Sequence, residues 1–333
     1  MNKKPLAFVD HIFHIKSKSG DFLREIFKKE YTITNIWVDK SLNFSDKIES
    51  FENIFFFQIF PKVETLNRLK NKNLMWAPMY DSPHYPIGFS PIMWKMVEYY
   101  NVKILCFSKS ITGFVQGKKI NYLKLKYFKK PHRLKKNIKK KISIFFWNRG
   151  NVNLDDWINC VNLNNIDRII YFDTEWKIKK PKISANPKIN YIKSNFTKKQ
   201  LDFINLINKS DIFVCPRYKE GIGMAQLEAL SMGKYLIGNN DFTMKDYIID
   251  PKIGMLFDNN LNKKIDIDNV INYRDYRLNH AKKGYIKFEK DKNKILKLFK
   301  KKINFKNRPL RFFYFKLIII FLTIKRKLFM LSR

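Results

Sequence analysis

Glu220 and Glu228 stand eight positions apart around a turn that holds Gly221 and Gly223. The run Ser210-Asp211-Ile212-Phe213-Val214-Cys215 before them reads as a strand that ends at Pro216. A helix is expected from about Gly223 to Met232, stopped by Gly233 in the usual C-terminal position. Glycines at a helix start bring bare backbone amides to the positive end of the helix dipole, which attracts phosphate. Eight residues of helix at a rise of about 1.5 Å separate the two carboxylates by on the order of 12 Å. Carboxylates at that separation, with a phosphate-binding turn between them, suit a ligand with two hydroxyl-bearing groups joined by phosphate. A nucleotide sugar has that form. A surface glutamate beside a helix-capping turn gives the same spacing, so the pattern alone leaves both readings open.

Such a turn needs a sheet behind it. The first half of the chain alternates apolar runs with helical spacing. Leu6-Ala7-Phe8-Val9, Ile36-Trp37-Val38, Ile54-Phe55-Phe56-Phe57, Leu74-Met75-Trp76-Ala77 and Val102 to Phe107 read as strands. Asp21 to Lys29 reads as a helix with Phe22, Ile26 and Phe27 on one side. From Lys118 to Lys141 there is no acidic residue and the lysines are dense, which marks a connection. The alternation then restarts with Ile142-Ser143-Ile144-Phe145-Phe146, Arg168 to Phe172, Ile212 to Cys215 and Tyr235-Leu236-Ile237. The expected fold class is α/β: two doubly wound, Rossmann-like domains facing a cleft at the carboxyl ends of their sheets. Their expected bounds are 1–125 and 142–300, with a basic linker at 126–141 and a basic hydrophobic tail at 301–333.

Composition fits two cores: 333 residues, 45% hydrophobic, with Phe 30 and Tyr 16. The net charge of +37 admits nucleic acid, an anionic membrane surface or a phosphorylated substrate as partner. Lys, Asn, Ile, Phe and Tyr are abundant together, as AT-rich coding produces, but such drift does not cluster lysines. Cys106, Cys160 and Cys215 are odd in number and set in apolar runs, which suits a reducing compartment and neither disulfides nor a metal site. Met1 to Pro5 leads to only four apolar residues before Asp10, so a secretory signal is not expected and a cytoplasmic location is. The stretch Leu310 to Leu331 mixes Phe312, Phe313, Phe315 and Leu317 to Leu322 with Arg311, Lys316, Lys325, Arg326 and Lys327. Its uninterrupted apolar run falls short of the roughly 20 residues that span a bilayer. It suits a helix lying on an anionic membrane, peripheral on the inner face, or else one packed on the body of the protein.

The stretch Glu220-Gly221-Ile222-Gly223-Met224-Ala225-Gln226-Leu227-Glu228-Ala229-Leu230-Ser231-Met232-Gly233-Lys234 resembles the E-x(7)-E motif of retaining glycosyltransferases of family 4, which have the GT-B fold. The strand before it, and Leu236-Ile237-Gly238, Thr243 to Ile248 and Ile253 to Asp258 after it, fit the same pattern. The resemblance covers about residues 205–260, is weaker over 142–204 and faint before that. It implies that Glu220 sits at the donor sugar and Glu228 at the ribose hydroxyls, with the backbone of Gly221, Ile222, Gly223 and Met224 holding sugar and diphosphate. Such enzymes place a basic pair on the diphosphate. Arg149 is the candidate for its first member. The lysine expected a few residues later is absent from Gly150 to Leu154, which leaves Lys219 or Arg217 for the role. On the acceptor side the resemblance points to Asp81 and His84, after the strand at Leu74 to Ala77. Asp-Ser-Pro is also common turn chemistry. His11 and His14 follow the first strand, with Lys16, Lys18, Ser19 and Gly20 placed to meet an acceptor phosphate.

Asp266-Ile267-Asp268 spells the D-x-D of metal-dependent glycosyltransferases of the other fold, but lies in a polar stretch without a strand-end setting. No metal and no cofactor are expected. The resulting expectation is metal-independent, retaining sugar transfer from a UDP- or GDP-sugar to a lipid-linked or glycan acceptor, in building capsule or lipopolysaccharide. Rival readings are a basic nucleic-acid-binding protein, a nucleotide-sugar epimerase of the same fold and an inactive membrane scaffold. The chain shows no nucleic-acid motif, so nucleic acid is not expected as a partner. Intact Glu220 and Glu228 speak against the scaffold.

Overall fold

The computed structural model describes residues 3–39, 46–80, 88–132, 142–149, 152–159, 161–162, 166–173, 190–195, 200–258, 263–264, 267–301 and 309–331. The chain divides into two compact units, one of residues 1–125 with 290–333 and one of residues 126–289.

The first unit is built on β1 (Lys4–His11), β2 (Tyr31–Val38), β3 (Asn53–Phe57), β4 (Asn73–Ala77), β5 (Lys103–Cys106) and β6 (Tyr122–Lys124). All pairs are parallel and the order is β2-β1-β3-β4-β5-β6. The connections carry α1 (His14–Ser17), α2 (Asp21–Phe27), α3 (Val63–Arg68), α4 (Pro91–Tyr99) and α5 (Lys109–Val115). Central strands covered on both faces must be apolar throughout. Accordingly β5 is buried along its length, and β3 and β4 from their second residue. β2 lies at the sheet edge with a half-exposed, threonine-rich start, and for that reason begins five residues before the apolar Ile36-Trp37-Val38.

The second unit carries β7 (Ile142–Asn148), α6 (Leu154–Asn159), β8 (Val161–Asn162), β9 (Ile166–Asp173) and β10 (Asn190–Asn195). It continues with α7 (Gln200–Asn208), β11 (Ile212–Cys215), α8 (Met224–Ser231), β12 (Tyr235–Asn239), α9 (Phe242–Lys245) and β13 (Gly254–Phe257). It closes with β14 (Lys263–Lys264), α10 (Ile267–Asn272) and α11 (Arg274–Asp291). Its main sheet is parallel, in the order β10-β9-β7-β11-β12-β13. The strand order reverses between β7 and β11. In open α/β sheets the ends of the strands at such a reversal are where ligands bind.

Two expected boundaries move. Residues 126–132, taken as linker, are packed on the second unit. Tyr127 and Phe128 are buried, with Tyr127 against Phe288 at 5.1 Å and Phe128 against Tyr247 at 5.4 Å. The Phe128 ring lies so close over Gly284 that a Cβ there would stand 2.5 Å from it. Residues 133–141 lie outside the described residues. At the other end α12 (Asn293–Lys300), expected in the second domain, packs on the first unit. Its buried Ile295, Leu296 and Phe299 find aromatic partners there: Phe299 meets Phe27 at 5.2 Å and Tyr31 at 5.5 Å. Lys103, 2% exposed, donates to the Phe299 carbonyl (2.7 Å) and to Asn73 Oδ1 (2.6 Å). Burial, with Lys301 nearby, pulls its amine down to about 8.

α13 (Pro309–Leu331) packs one face on the first unit, as one of the two sequence readings of the tail has it, and leaves the other face exposed. Phe315 is buried against Tyr99 at 5.5 Å, and Phe312, Ile318, Ile319 and Leu322 pack around it on the first unit's core. Leu310, Phe313, Tyr314, Leu317, Ile320, Phe321 and Ile324 recur at helical spacing on the other side and are exposed. Among the described residues, no helix is long and apolar enough to cross a membrane.

Candidate functional site

β7 and β11 are neighbours in the second sheet, so the residues that follow them meet at the point of strand reversal. After β11, Pro216 ends the strand and Glu220 turns its side chain back beneath the loop. Glu220 is 7% exposed. The Cys215 thiol donates to its Oε1 at 3.7 Å, and Arg217 Nη1 lies 3.8 Å from Oε2. Burial, then the charge of Glu220, pushes that thiol well up, while Arg149 and Arg217 oppose them. Arg149, directly after β7, stacks its guanidinium on Trp147 at 4.5 Å. Arg149, Arg217, Cys215 and Glu220 are thus one electrostatic group at the strand ends. Lys219 is exposed on the same loop.

The backbone of Glu220 is fixed separately. Its N–H donates to Asp241 Oδ2 at 2.7 Å, and the buried Thr243 hydroxyl donates to its carbonyl at 2.7 Å. Asp241 also caps α9 by accepting from the Met244 amide at 2.6 Å. Burial raises the Asp241 carboxyl to about 6, against the pull of those amides. The native state therefore holds a proton on Asp241 up to about pH 6, whereas the unfolded chain releases it near 3.8. The stability this contributes is present below the unfolded value and lost as pH rises through about 6. Relative to Asp241→Asn, the wild type is expected to lose about 3 kcal/mol between about pH 4 and about pH 7. Unfolding curves of both proteins across that range test this, and a constant difference would refute it.

Gly223 is the N-cap of α8 and has φ +74°, the left-handed region that favours glycine. A Cβ there would also press on Met244 Cε at 3.1 Å and Gln226 Oε1 at 3.3 Å. Gly221 and Ile222 are buried beside it and Met224 opens the helix. Gly223 brings no side-chain acceptor to the first-turn amides, the arrangement by which helix N-termini bind anions. Gln226, 1% exposed, holds an Nε2 without a hydrogen-bond partner next to the turn. Spacing gave no reason to single it out.

Glu228 lies within α8 and is 5% exposed. Both of its carboxylate oxygens are engaged from residues 126–132: Lys129 Nζ donates to Oε2, and His132 Nε2 meets Oε1 at 2.8 Å. The His132 amide donates to the Ser231 carbonyl at 2.9 Å, and the Ser231 hydroxyl to the Glu228 carbonyl at 2.6 Å. Lys129 and His132 were missed as individuals. Their basic stretch was visible, but which cation meets which acid across nearly a hundred residues is set by the fold.

Of the other candidates, Asp81 and His84 lie outside the described residues. His14 is 8% exposed and tied by Nδ1 to buried Asp10 at 2.5 Å, with Arg24 on the other Asp10 oxygen at 2.8 Å. His11 bonds the Phe13 amide through its Nδ1 at 3.1 Å. Asp266 lies outside the described residues, and Ile267 and Asp268 begin α10. Among the described residues, no group of three or more His, Cys, Asp or Glu is placed to hold a metal ion.

Residues 185–287, from β10 through most of α11, match the family model of glycosyl transferases group 1. No curated protein matches the chain. Solved structures share its fold. HepE of Anabaena, in complex with UDP and glucose, superposes with a TM-score of 0.57 at 10% identity, over 88% of this chain and 99% of that one. WaaG, a glycosyltransferase involved in lipopolysaccharide biosynthesis, gives 0.57 at 12% identity, over 87% and 99%. TarM of S. aureus gives 0.49 at 13% identity over 77% of this chain, which spans only 57% of the TarM chain. The family match is confined to the second unit and takes in Glu220, the glycine turn and Glu228 together.

Proposed function

We propose that the protein transfers a sugar, with retention at the anomeric carbon, from a UDP- or GDP-sugar to a lipid-linked or glycan acceptor during synthesis of a surface polysaccharide. The observation that carries this reading is the joining of Glu220, the Gly221–Gly223 turn and Glu228 at the carboxyl end of a parallel sheet, where the strand order reverses. The fold neighbours add support: HepE is in complex with UDP and glucose, and WaaG acts in lipopolysaccharide biosynthesis.

Departure of the nucleoside diphosphate builds negative charge on phosphate and positive charge on the sugar ring. The first-turn amides of α8 with Arg149, and with Arg217 or Lys219, stabilise the leaving phosphate. The Glu220 carboxylate stands by the sugar and Glu228 by the ribose hydroxyls. Asp81 and His84 are the acceptor-side candidates. The exposed face of α13, with Arg311 and Lys316 beside it, holds the enzyme against an anionic membrane, on its inner face, where a lipid-linked acceptor resides.

Thermal shift and calorimetry with UDP-, GDP-, ADP- and CMP-sugars test the donor site. One nucleotide class is expected to stabilise the wild type. Glu228→Ala is expected to weaken that binding roughly 10- to 100-fold, the loss of hydrogen bonds to a charged acceptor. Glu220→Ala is expected to reduce turnover more than nucleotide binding. A folded wild type that binds no nucleotide sugar sinks the reading, and turnover of donor without acceptor favours epimerisation instead.

A further inference from the structure

Glu228 already has two partners, and neither comes from the helix that carries it. Lys129 and His132 belong to residues 126–132, which reach the second unit ahead of its first strand. That segment is fixed in place by more than these two bonds. Its Tyr127 and Phe128 are buried against Phe288 and Tyr247, Lys126 Nζ donates to the Asp246 carbonyl at 2.6 Å, and the His132 amide caps the Ser231 carbonyl at the end of α8. A carboxylate oxygen accepts about two hydrogen bonds, so one protein donor on each oxygen leaves each with capacity for another. The side chain is meanwhile locked in one orientation.

We infer that Lys129 and His132 are positioning residues for nucleotide binding: they hold the Glu228 carboxylate in the orientation that receives the ribose diol. The inference rests on the donor reading above and adds residues outside the span of the family match. The arrangement has a physical advantage. A flexible glutamate must give up side-chain freedom when ligand arrives, whereas one fixed beforehand does not. His132 serves as donor through Nε2–H, the tautomer its carboxylate partner requires. Glutamine at 132 offers a comparable N–H and alanine offers none.

The test is calorimetric titration of the full chain with UDP and with GDP, for wild type, Lys129→Ala, His132→Ala, His132→Gln, Glu228→Ala and the His132→Ala/Glu228→Ala pair. Each alanine variant at 129 or 132 is expected to raise the Kd of the bound nucleotide roughly 10-fold, the effect of one charge-assisted hydrogen bond. His132→Gln is expected to recover most of that. The double variant is expected to bind no worse than Glu228→Ala alone, because His132 acts through Glu228. In turnover assays donor KM rises while kcat at saturating donor changes little. Wild-type affinity in both Lys129→Ala and His132→Ala, or full additivity in the double variant, overturns the inference while leaving the donor site standing. A wild type that binds neither nucleotide overturns the donor reading and this inference with it.

Discussion

Replacing Arg277 with methionine is expected to lower the unfolding free energy of the second unit by about 4 kcal/mol, the cost of breaking a buried charged network. Arg277 sits on α11 and is 1% exposed. Its guanidinium donates to four backbone carbonyls: Gly233 at 2.8 Å from Nε, Lys252 at 3.0 Å and Asn269 at 2.7 Å from Nη1, and Val270 at 2.5 Å from Nη2. The charge is costly to bury, which pulls the group down to about 10. Removing it recovers that cost but orphans four carbonyls, two from turns at Gly233 and Lys252 and two from α10. Each bond to a charged donor is worth roughly 1.5–3 kcal/mol, and their sum is reduced by the relief of desolvation. Gly233 carries the loss to α8. It ends α8 at φ +75°, and a Cβ there would stand 2.9 Å from Leu278 Cγ, so α11 rests directly on the stop of α8. Arg277→Lys is expected to fare little better, because an ammonium has three donors and no planar fork. Urea unfolding of the full chain, with hydrogen exchange on α8 and β12, measures this. A loss below about 1 kcal/mol would mean that water replaces the guanidinium freely.

The sheets were legible because buried parallel strands are uninterrupted apolar runs. Ile212 to Cys215 coincides with β11 residue for residue. The edge strand β2 was only half legible, since Thr32 and Asn35 are exposed and Thr34 is half-buried, which dilutes the apolar signal. The Glu220–Glu228 pattern was legible for a different reason: its chemistry is local, confined to one turn and one helix. What stayed hidden is everything paired across the sequence. Asp241 holding the Glu220 amide, Lys129 and His132 on Glu228, Arg277 on Gly233 and Lys103 on Phe299 each join segments more than twenty residues apart. Basic residues are so abundant that composition cannot say which few are enclosed. The position of α12 was hidden likewise, because an amphipathic pattern states that a face must be covered and not by what.

Converting Leu310, Phe313, Leu317 and Phe321 together to serine is expected to weaken binding to phosphatidylglycerol-containing vesicles by roughly a thousandfold. The four lie on the outer face of α13 at 83%, 60%, 68% and 66% exposure. Full burial of such a side chain contributes about 1.5–3 kcal/mol; a helix at the headgroup boundary buries each in part, so four amount to about 4 kcal/mol. Deleting the tail would be a poorer test, because Phe315 fills the first unit's core against Tyr99 and Tyr100 and its loss would unsettle the fold. The serine variant leaves that inner face intact, which circular dichroism and an unchanged melting temperature would verify. The basic side chains predict the companion result: wild-type binding should fall when phosphatidylglycerol is replaced by phosphatidylcholine, and fall again with salt, since each lysine or arginine near an anionic surface contributes about 1 kcal/mol. If the variant floats with anionic vesicles as the wild type does, α13 is a structural cover for the first unit alone. If both lose binding only with salt, the +37 charge suffices and the apolar face serves some other contact.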